Sequence, residues 1–285
     1  MPNIDTSPFI GWKRENQLKP FIRWRGGKQP VISNLEEYCP DDFENYYEPF
    51  VGAGSLLFTL KRKAIIGDIN KSLIDVYKGI SNNVGKVEQE LNMYKDKNNQ
   101  EDYDKIKEMY NSPEFNTMLL EERAALFIYL INTSYGSKYR VNSEGDFNNT
   151  YWKKPKGKFL PNFLLLDEIS KYLKENVEIL CGDFEKTVVG CKENDFVYFD
   201  PPYYNDGEKY DINNFTTEDH KRLKRVMDKL DKEGCKVLIT NKDCPQTREI
   251  FSTYTILPLE SKCRIDSKNK SIEEIPMKEI IIKNY

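Results

Sequence analysis

The sequence predicts an α/β fold, an open and mostly parallel sheet with a mainly helical block inserted into it. Short apolar runs recur before glycine or acidic turns at Gly52 and Gly54, Asp68, Asp183 and Asp200. That is the pattern of parallel strands delivering polar groups to one sheet edge. Helical spacing dominates from Asn70 to about Lys158, with no strand signal before the loop that closes this stretch. The first strand also runs directly through a glycine turn into an apolar helix start, the context in which a G-x-G carries meaning.

The first strand is Tyr46–Phe50, followed by Val51-Gly52-Ala53-Gly54-Ser55 and a helix beginning Leu56-Leu57-Phe58. The glycines let backbone approach a ligand closely, although the third glycine of the dinucleotide fingerprint is missing. A second strand, Ala64–Gly67, ends in Asp68, an acid placed for ribose hydroxyls. The inserted block repeats apolar residues at Leu73, Val76, Tyr77 and Ile80, then at Val87, Leu91 and Tyr94, and again through Glu121–Ile131. It closes in an aromatic, basic, glycine-containing loop, Ser134–Asn148. A third strand, Val177–Leu180, leads to Gly182-Asp183-Phe184, and a fourth, Phe196–Phe199, leads to Asp200-Pro201-Pro202-Tyr203. Thr216 and Asp219 then have capping-box spacing at the head of an amphipathic helix. His220, the only histidine, is expected to be exposed on it. A fifth strand is Lys236–Thr240. Thr255–Leu257 and Glu279–Lys283 read as antiparallel closing strands, and in the charged loop between them Lys262, Arg264, Lys268 and Lys270 either touch phosphates or are simply solvated.

The Asp-Pro-Pro-Tyr turn carries the most chemistry. Two prolines forbid the strand from continuing, so an acid and an aromatic ring are held stiffly at a strand's carboxyl end. Such a turn can offer a carboxylate and a backbone carbonyl to one amino group, with Tyr203 as a stacking surface. The plainer alternative is a proline-terminated strand with Asp200 capping the turn.

Composition narrows the classes. The 285 residues suffice for one large domain or a core domain with an insertion. No apolar run approaches the ~20 residues of a membrane span, and no signal-peptide core is present. Six cysteines without a C-x-x-C pair fit reduced thiols in a cytoplasmic protein. One histidine argues against a histidine triad or metal cluster, so no metal is expected. The net charge of −3 hides two basic segments. Residues 1–30 carry Lys13, Arg14, Lys19, Arg23, Arg25 and Lys28 against Asp5 and Glu15, a balance of +4. Residues 134–160 carry Lys138, Arg140, Lys153, Lys154, Lys156 and Lys158 against Glu144 and Asp146, again +4. Two basic segments on an acidic body suit a polyanion bound at one face. Solvated loops are the alternative.

In order, Phe21-Ile-Arg-Trp24-Arg-Gly26-Gly27-Lys28, Tyr47–Gly54, Gly67-Asp68-Ile69-Asn70, Gly182-Asp183-Phe184, Asp200-Pro-Pro-Tyr203 and Thr240-Asn241 resemble the Dam-type (D12 class, alpha-group) DNA adenine-N6 methyltransferases, from about Pro20 onward. The resemblance implies a Rossmann-like, S-adenosylmethionine-dependent methyltransferase sheet (residues 1–70 plus 159–285). It also implies an inserted target-recognition domain (71–158) and double-stranded DNA as partner. Carried over, Trp24 and Lys28 flank the cofactor's methionine end, and Phe50, Gly52 and Gly54 form its floor. Asp68 takes the ribose, Asp183 and Phe184 take the cofactor's adenine, and Asp200 lies beside the methyl donor. Asp200, Pro201, Pro202 and Tyr203 receive the target amine. Arg23, Tyr135, Ser137, Lys138, Arg140 and Asn142 occupy positions where the family meets DNA.

The sequence departs from the family in the recognition loop. Gly136-Ser137-Lys138 stands where Asn-Gly-Leu is usual, and Phe147-Asn148-Asn149-Thr150 where Phe-Asn-Val-Pro is usual. These changes bear on which bases are read, GATC or a variant, and leave the catalytic turn intact. Transfer to another amine (cytosine N4 or a protein amide) and a non-catalytic DNA-binding relative are the alternatives. An aspartate opening the turn and the long insertion before it argue against the first. Asp200 and the glycines argue against the second.

Overall fold

The structure, a computed structural model, describes residues 18–155, 159–203, 215–264 and 274–285, with side chains described up to 259 and again from 279. Its strands are β1 (Tyr46–Glu48), β2 (Ala64–Asp68), β3 (Val177–Cys181), β4 (Phe196–Phe199), β5 (Lys236–Lys242), β6 (Thr255–Arg264) and β7 (Glu274–Lys283). They form one sheet in the order β3-β2-β1-β4-β5-β7-β6. The first five run parallel, and β7 enters between β5 and β6, antiparallel to both. The helices described are α1 (Ile32–Glu36), α2 (Ser55–Leu60), α3 (Lys71–Asn92), α4 (Gln100–Asn111), α5 (Leu120–Thr133), α6 (Phe163–Asn176), α7 (Phe184–Thr187), α8 (Thr217–Lys232) and α9 (Pro245–Ile250). An α/β fold is thus what the chain adopts, and none of the described helices is long and apolar enough to cross a membrane.

Both faces of the sheet are covered, which is why its strands read as unbroken apolar runs. Successive residues point to opposite faces. Tyr46, Phe196, Tyr198, Leu238 and Ile281 join one core, while Tyr47, Val197, Phe199, Val237, Ile239, Ile280 and Ile282 join the other. The first core is continuous with α3, α5 and α6; the second lies under α7 and α8. The five parallel strands fall where the sequence places them, except that β1 stops at Glu48, before Pro49. The closing strands β6 and β7 are longer than expected.

In the helical block α3 and α5 cross closely. A Cβ on Gly79 would lie 2.9 Å from that of Ala124. Asn83 leaves helical geometry inside α3 (φ −152°, ψ 78°), and its Oδ1 accepts from the Lys86 amide at 3.1 Å to restart the helix. Residues Ala124–Thr133 of α5 are buried all round. Helix α6, which packs on α3 and leads into β3, has no counterpart among the elements expected from sequence.

Helix α8 begins with the expected capping box. Thr216 Oγ1 accepts from the Asp219 amide at 3.2 Å, and the Thr216 amide donates to Asp219 Oδ2 at 2.9 Å. His220, however, is buried, not exposed. It shares the inward stripe of Leu223, Met227 and Leu230 and lies 4.8 Å from the Phe215 ring. Burial depresses its pKa to about 4. A base whose folded pKa lies below its unfolded value gives stability that is present above the unfolded pKa and lost as pH falls. Relative to His220→Phe, the native chain is therefore expected to lose roughly 1–3 kcal/mol between pH 6.5 and pH 4. Denaturant titrations of both proteins across that range test this, and a constant difference would refute it.

Candidate active site

The strand order reverses between β1 and β4, and in open α/β sheets the crevice at the carboxyl ends there takes the ligand. Asp200 lies there, directly after β4. Its Oδ1 accepts from Thr240 Oγ1 of β5 at 2.7 Å, and its Oδ2 pairs with Lys28 Nζ at 2.8 Å. With the Thr240 proton committed to Asp200, the Tyr198 hydroxyl is the donor in its 3.0 Å contact with Thr240 Oγ1. Lys28 is buried, donates also to the Gly26 carbonyl at 3.0 Å, and places its ammonium 4.8 Å from the Tyr203 ring centre. Lys28, far away in sequence, therefore meets Asp200 and Tyr203 of one turn at a single point.

Two further buried acids surround this ion pair. Glu48, at the end of β1, accepts from the Tyr46 hydroxyl at 2.8 Å. Burial, reinforced by the Asp200 charge, pushes its pKa up to about 8. Glu279 of β7 is 7% exposed, and its Oε2 has no hydrogen-bond partner among the described residues. Burial raises its pKa, Lys28 pulls it down and Asp200 pushes it up. The buried Tyr203 hydroxyl is likewise without a partner. It and Glu279 lie against one another and act on each other's ionisation, the tyrosine's upward and the carboxyl's downward.

The glycine turn is shaped by what lies against it. Gly52 (φ +48°) runs beneath the Trp24 indole, where a Cβ would stand 3.1 Å from Cδ1. Gly54 (φ +70°) faces the Tyr77 hydroxyl, which donates to the Gly52 carbonyl at 3.0 Å. The Gly52 amide donates to Asp68 Oδ2 at 3.2 Å, and the Asn70 amide donates to Oδ1 at 2.9 Å. Burial pushes Asp68 up to about pKa 6 despite these two donors. Trp24, Gly52, Gly54 and Asp68 are thus gathered around one turn.

Beside them Phe50 stacks on Phe184 at 5.3 Å, and the Arg222 guanidinium lies 4.6 Å from the Phe184 ring centre. Asp183 is occupied on both oxygens. Oδ1 caps α7 through the Glu185 amide at 3.0 Å, and Oδ2 accepts from Arg222 at 2.6 Å. Next to Asp68, Ile69 is 67% exposed and borders a cleft of about 240 Å³ whose opposite wall includes Tyr139 and Val141.

The loop after α5 is tied down at its base and open at its tip. Ser134 bridges to Tyr151, and Val141 to Phe147. Asn149 donates to the Tyr135 and Lys138 carbonyls at 3.0 and 2.8 Å. Tyr135 is exposed and meets exposed Trp152 edge-on at 5.1 Å. Arg140 is exposed and Lys138 half-buried. Ser137 is buried, with φ +50°. The Asn142 side-chain oxygen accepts from the Glu144 and Asp146 amides, so this residue builds a turn. Tyr139 packs nearly parallel to Trp24, 6.5 Å away, and joins the loop to the segment carrying Arg23 and Lys28. Burial, and after it the Arg23 charge, lower the Lys154 pKa. Lys156, Lys158, Lys268 and Lys270 lie outside the described residues, and the side chains of Lys262 and Arg264 are not described.

Several residues with a part in this arrangement carry no site role in the sequence reading: Thr240, Tyr198, Glu48, Glu279, Arg222 and Trp152. Thr240 stood within a motif. Glu279 gave no local sign, because one acid in a closing strand reads as surface charge.

Residues 24–265 match the family model of the D12 class N6 adenine-specific DNA methyltransferases. Among curated relatives, the Type II methyltransferase M1.LlaDCHI of Lactococcus lactis subsp. cremoris is 33% identical over 282 residues, covering 96% of this chain and 98% of its own length. Type II methyltransferase M.MjaIII of Methanocaldococcus jannaschii is 36% identical over 296 residues, covering 94% and 100%. The DNA adenine methylase of Escherichia coli (strain K12) is 28% identical over 270 residues, covering 90% and 94%. With the sheet and the converging strand ends, these matches make the molecule an enzyme of the DNA methyltransferase class. It belongs to the D12 class N6 adenine-specific DNA methyltransferase family.

Proposed function

We propose that this enzyme transfers the methyl group of S-adenosylmethionine to the N6 amine of an adenine flipped out of a short duplex DNA motif. The observation that carries this reading is Asp200, a carboxylate fixed by Thr240 and Lys28 at the sheet's switch point beside the Tyr203 ring. Bound S-adenosylmethionine supplies a methyl group made electrophilic by its sulfonium. The residues present fit such a ligand, since the glycine turn brings bare backbone against the Trp24 indole and the Asp68 carboxylate. Asp68 holds the ribose hydroxyls, Trp24 and Lys28 flank the methionine end, and Phe50, Asp183 and Phe184 line the adenine end.

The N6 lone pair is delocalised into the purine and attacks poorly. Asp200 and the Pro201 carbonyl accept its two N–H groups, favour the pyramidal nitrogen of the transition state and aim the lone pair. Contacts that strengthen as the reaction proceeds lower the barrier. Extruding the base costs a few kcal/mol, and stacking on Tyr203 returns about 1–3 kcal/mol. Residues 71–158 serve target recognition. Arg23 and, within that segment, Tyr135, Ser137, Lys138, Arg140 and Asn142 meet the duplex, and the basic residues make binding fall with salt.

Single-molecule methylation mapping of unmethylated plasmid DNA, incubated with enzyme and S-adenosylmethionine, tests the reading. N6-methyladenine confined to a short motif is expected, and its absence with cofactor bound would reject it. Lys138→Ala is expected to change the motif or weaken DNA binding at unchanged cofactor affinity. An unchanged methylation map with unchanged DNA affinity would remove the loop from this account.

A further inference from the structure

Lys28 occupies the place the target base is proposed to take. Its ammonium holds Asp200 Oδ2 at 2.8 Å and sits 4.8 Å from the Tyr203 ring centre, so one cation engages both the amine acceptor and the stacking surface. Each carboxylate oxygen keeps a second lone pair. The conflict is therefore over space beside the ring, not over acceptors. An adenine can enter only as Lys28 leaves, and a buried ammonium without a counter-ion is strongly disfavoured.

We propose that Glu279 is a positioning residue that receives the Lys28 ammonium when the target amine takes Asp200. Glu279 is buried, its Oε2 has no partner among the described residues, and the adjacent Tyr203 hydroxyl is also unsatisfied. A buried polar atom left open in this way calls for an explanation, and an arriving ammonium satisfies it. Lys28 is close enough to act on the Glu279 carboxyl already. The other nearby acid, Glu48, is held by Tyr46. Until the base arrives, the ion pair covers Asp200 and Tyr203; with the base in place, Glu279 holds Lys28 aside, and Asp200 turns to the amine. A carboxylate from β7, at the far side of β5, thus governs a turn on β4.

The inference rests on the proposed function and is tested by its dependence on charge at position 279. Glu279→Gln keeps the shape but removes the anion, and Glu279→Asp keeps the anion. For Gln, kcat on a duplex carrying the mapped motif is expected to fall tenfold or more. Dissociation constants for S-adenosylmethionine, by calorimetry, and for DNA, by fluorescence anisotropy, should stay within about twofold. Asp is expected to restore kcat to within about threefold of the native enzyme. Gln turning over normally, or Asp failing as badly as Gln, would overturn the role of Glu279. Absence of N6-methyladenine from the native enzyme would instead overturn the proposed function.

Discussion

Asp200→Ala is expected to reduce methyl transfer by about 10³-fold or more while cofactor binding remains measurable. Losing one preorganised group at a developing charge typically costs 10²–10³ in rate, and Asp200 has two tasks here. In the proposed mechanism it receives the amine, and in the structure it neutralises buried Lys28. The substitution also leaves that ammonium without its partner, so some loss of stability accompanies the loss of rate. Asp200→Asn separates the two effects, since it preserves the shape and the contact with Thr240 but not the charge. Single-turnover rates with calorimetric cofactor titration decide the matter. Near-native turnover in the alanine variant would remove Asp200 from the mechanism.

Gly54→Ala has the largest expected effect on the fold around the cofactor turn. Left-handed geometry (φ +70°) costs an alanine about 1–2 kcal/mol. Its Cβ would also stand 2.8 Å from the Tyr77 hydroxyl and 2.9 Å from Phe58 Cε2, both in the packed core. Overpacking of that kind adds roughly 1–3 kcal/mol. Tyr77 can yield only by giving up its bond to the Gly52 carbonyl, so S-adenosylmethionine affinity should fall with stability. Gly145→Ala is the control, because Gly145 has φ +93° but nothing within 4 Å of its Cβ position. Equal unfolding midpoints for the two variants would show that packing against Tyr77 contributes nothing.

What was legible in the sequence was set by local chemistry. The strands of a sheet covered on both faces are short apolar runs, and prolines, glycines and acids mark their ends. So β1 to β5, the glycine turn and the Asp-Pro-Pro-Tyr turn could all be read directly. His220 could have been placed as well. With Leu223, Met227 and Leu230 it repeats at i, i+3, i+7 and i+10, so it lies on the apolar stripe of α8. Reading it by residue type, and not by its position on that stripe, gave the wrong environment. The partners of Asp200 were harder. Lys28 ahead of α1, Thr240 on β5 and Glu279 on β7 come from distant segments, and only the folded chain, with β5 beside both β4 and β7, brings them together. In the loop, the burial of Ser137 and the turn bonds of Asn142 come from the fold, in which Tyr135 and Thr150 are brought side by side.

The placement of β7 between β5 and β6 bears on how the enzyme is made. A ribosome releases the parallel strands and β6 before residues 274–283 emerge, so the nascent chain carries β6 with no neighbour to pair with. The β5 edge then stays open, and such edges template aggregation. β7, synthesised after the other six strands of the sheet, closes that edge, captures β6 and brings Glu279, in its proposed role, into place beside Lys28 in one event. Methylating capacity should therefore arise only after synthesis of β7 is complete, and a nascent chain stalled before residue 274 would hold its glycine turn and Asp200 yet modify no DNA.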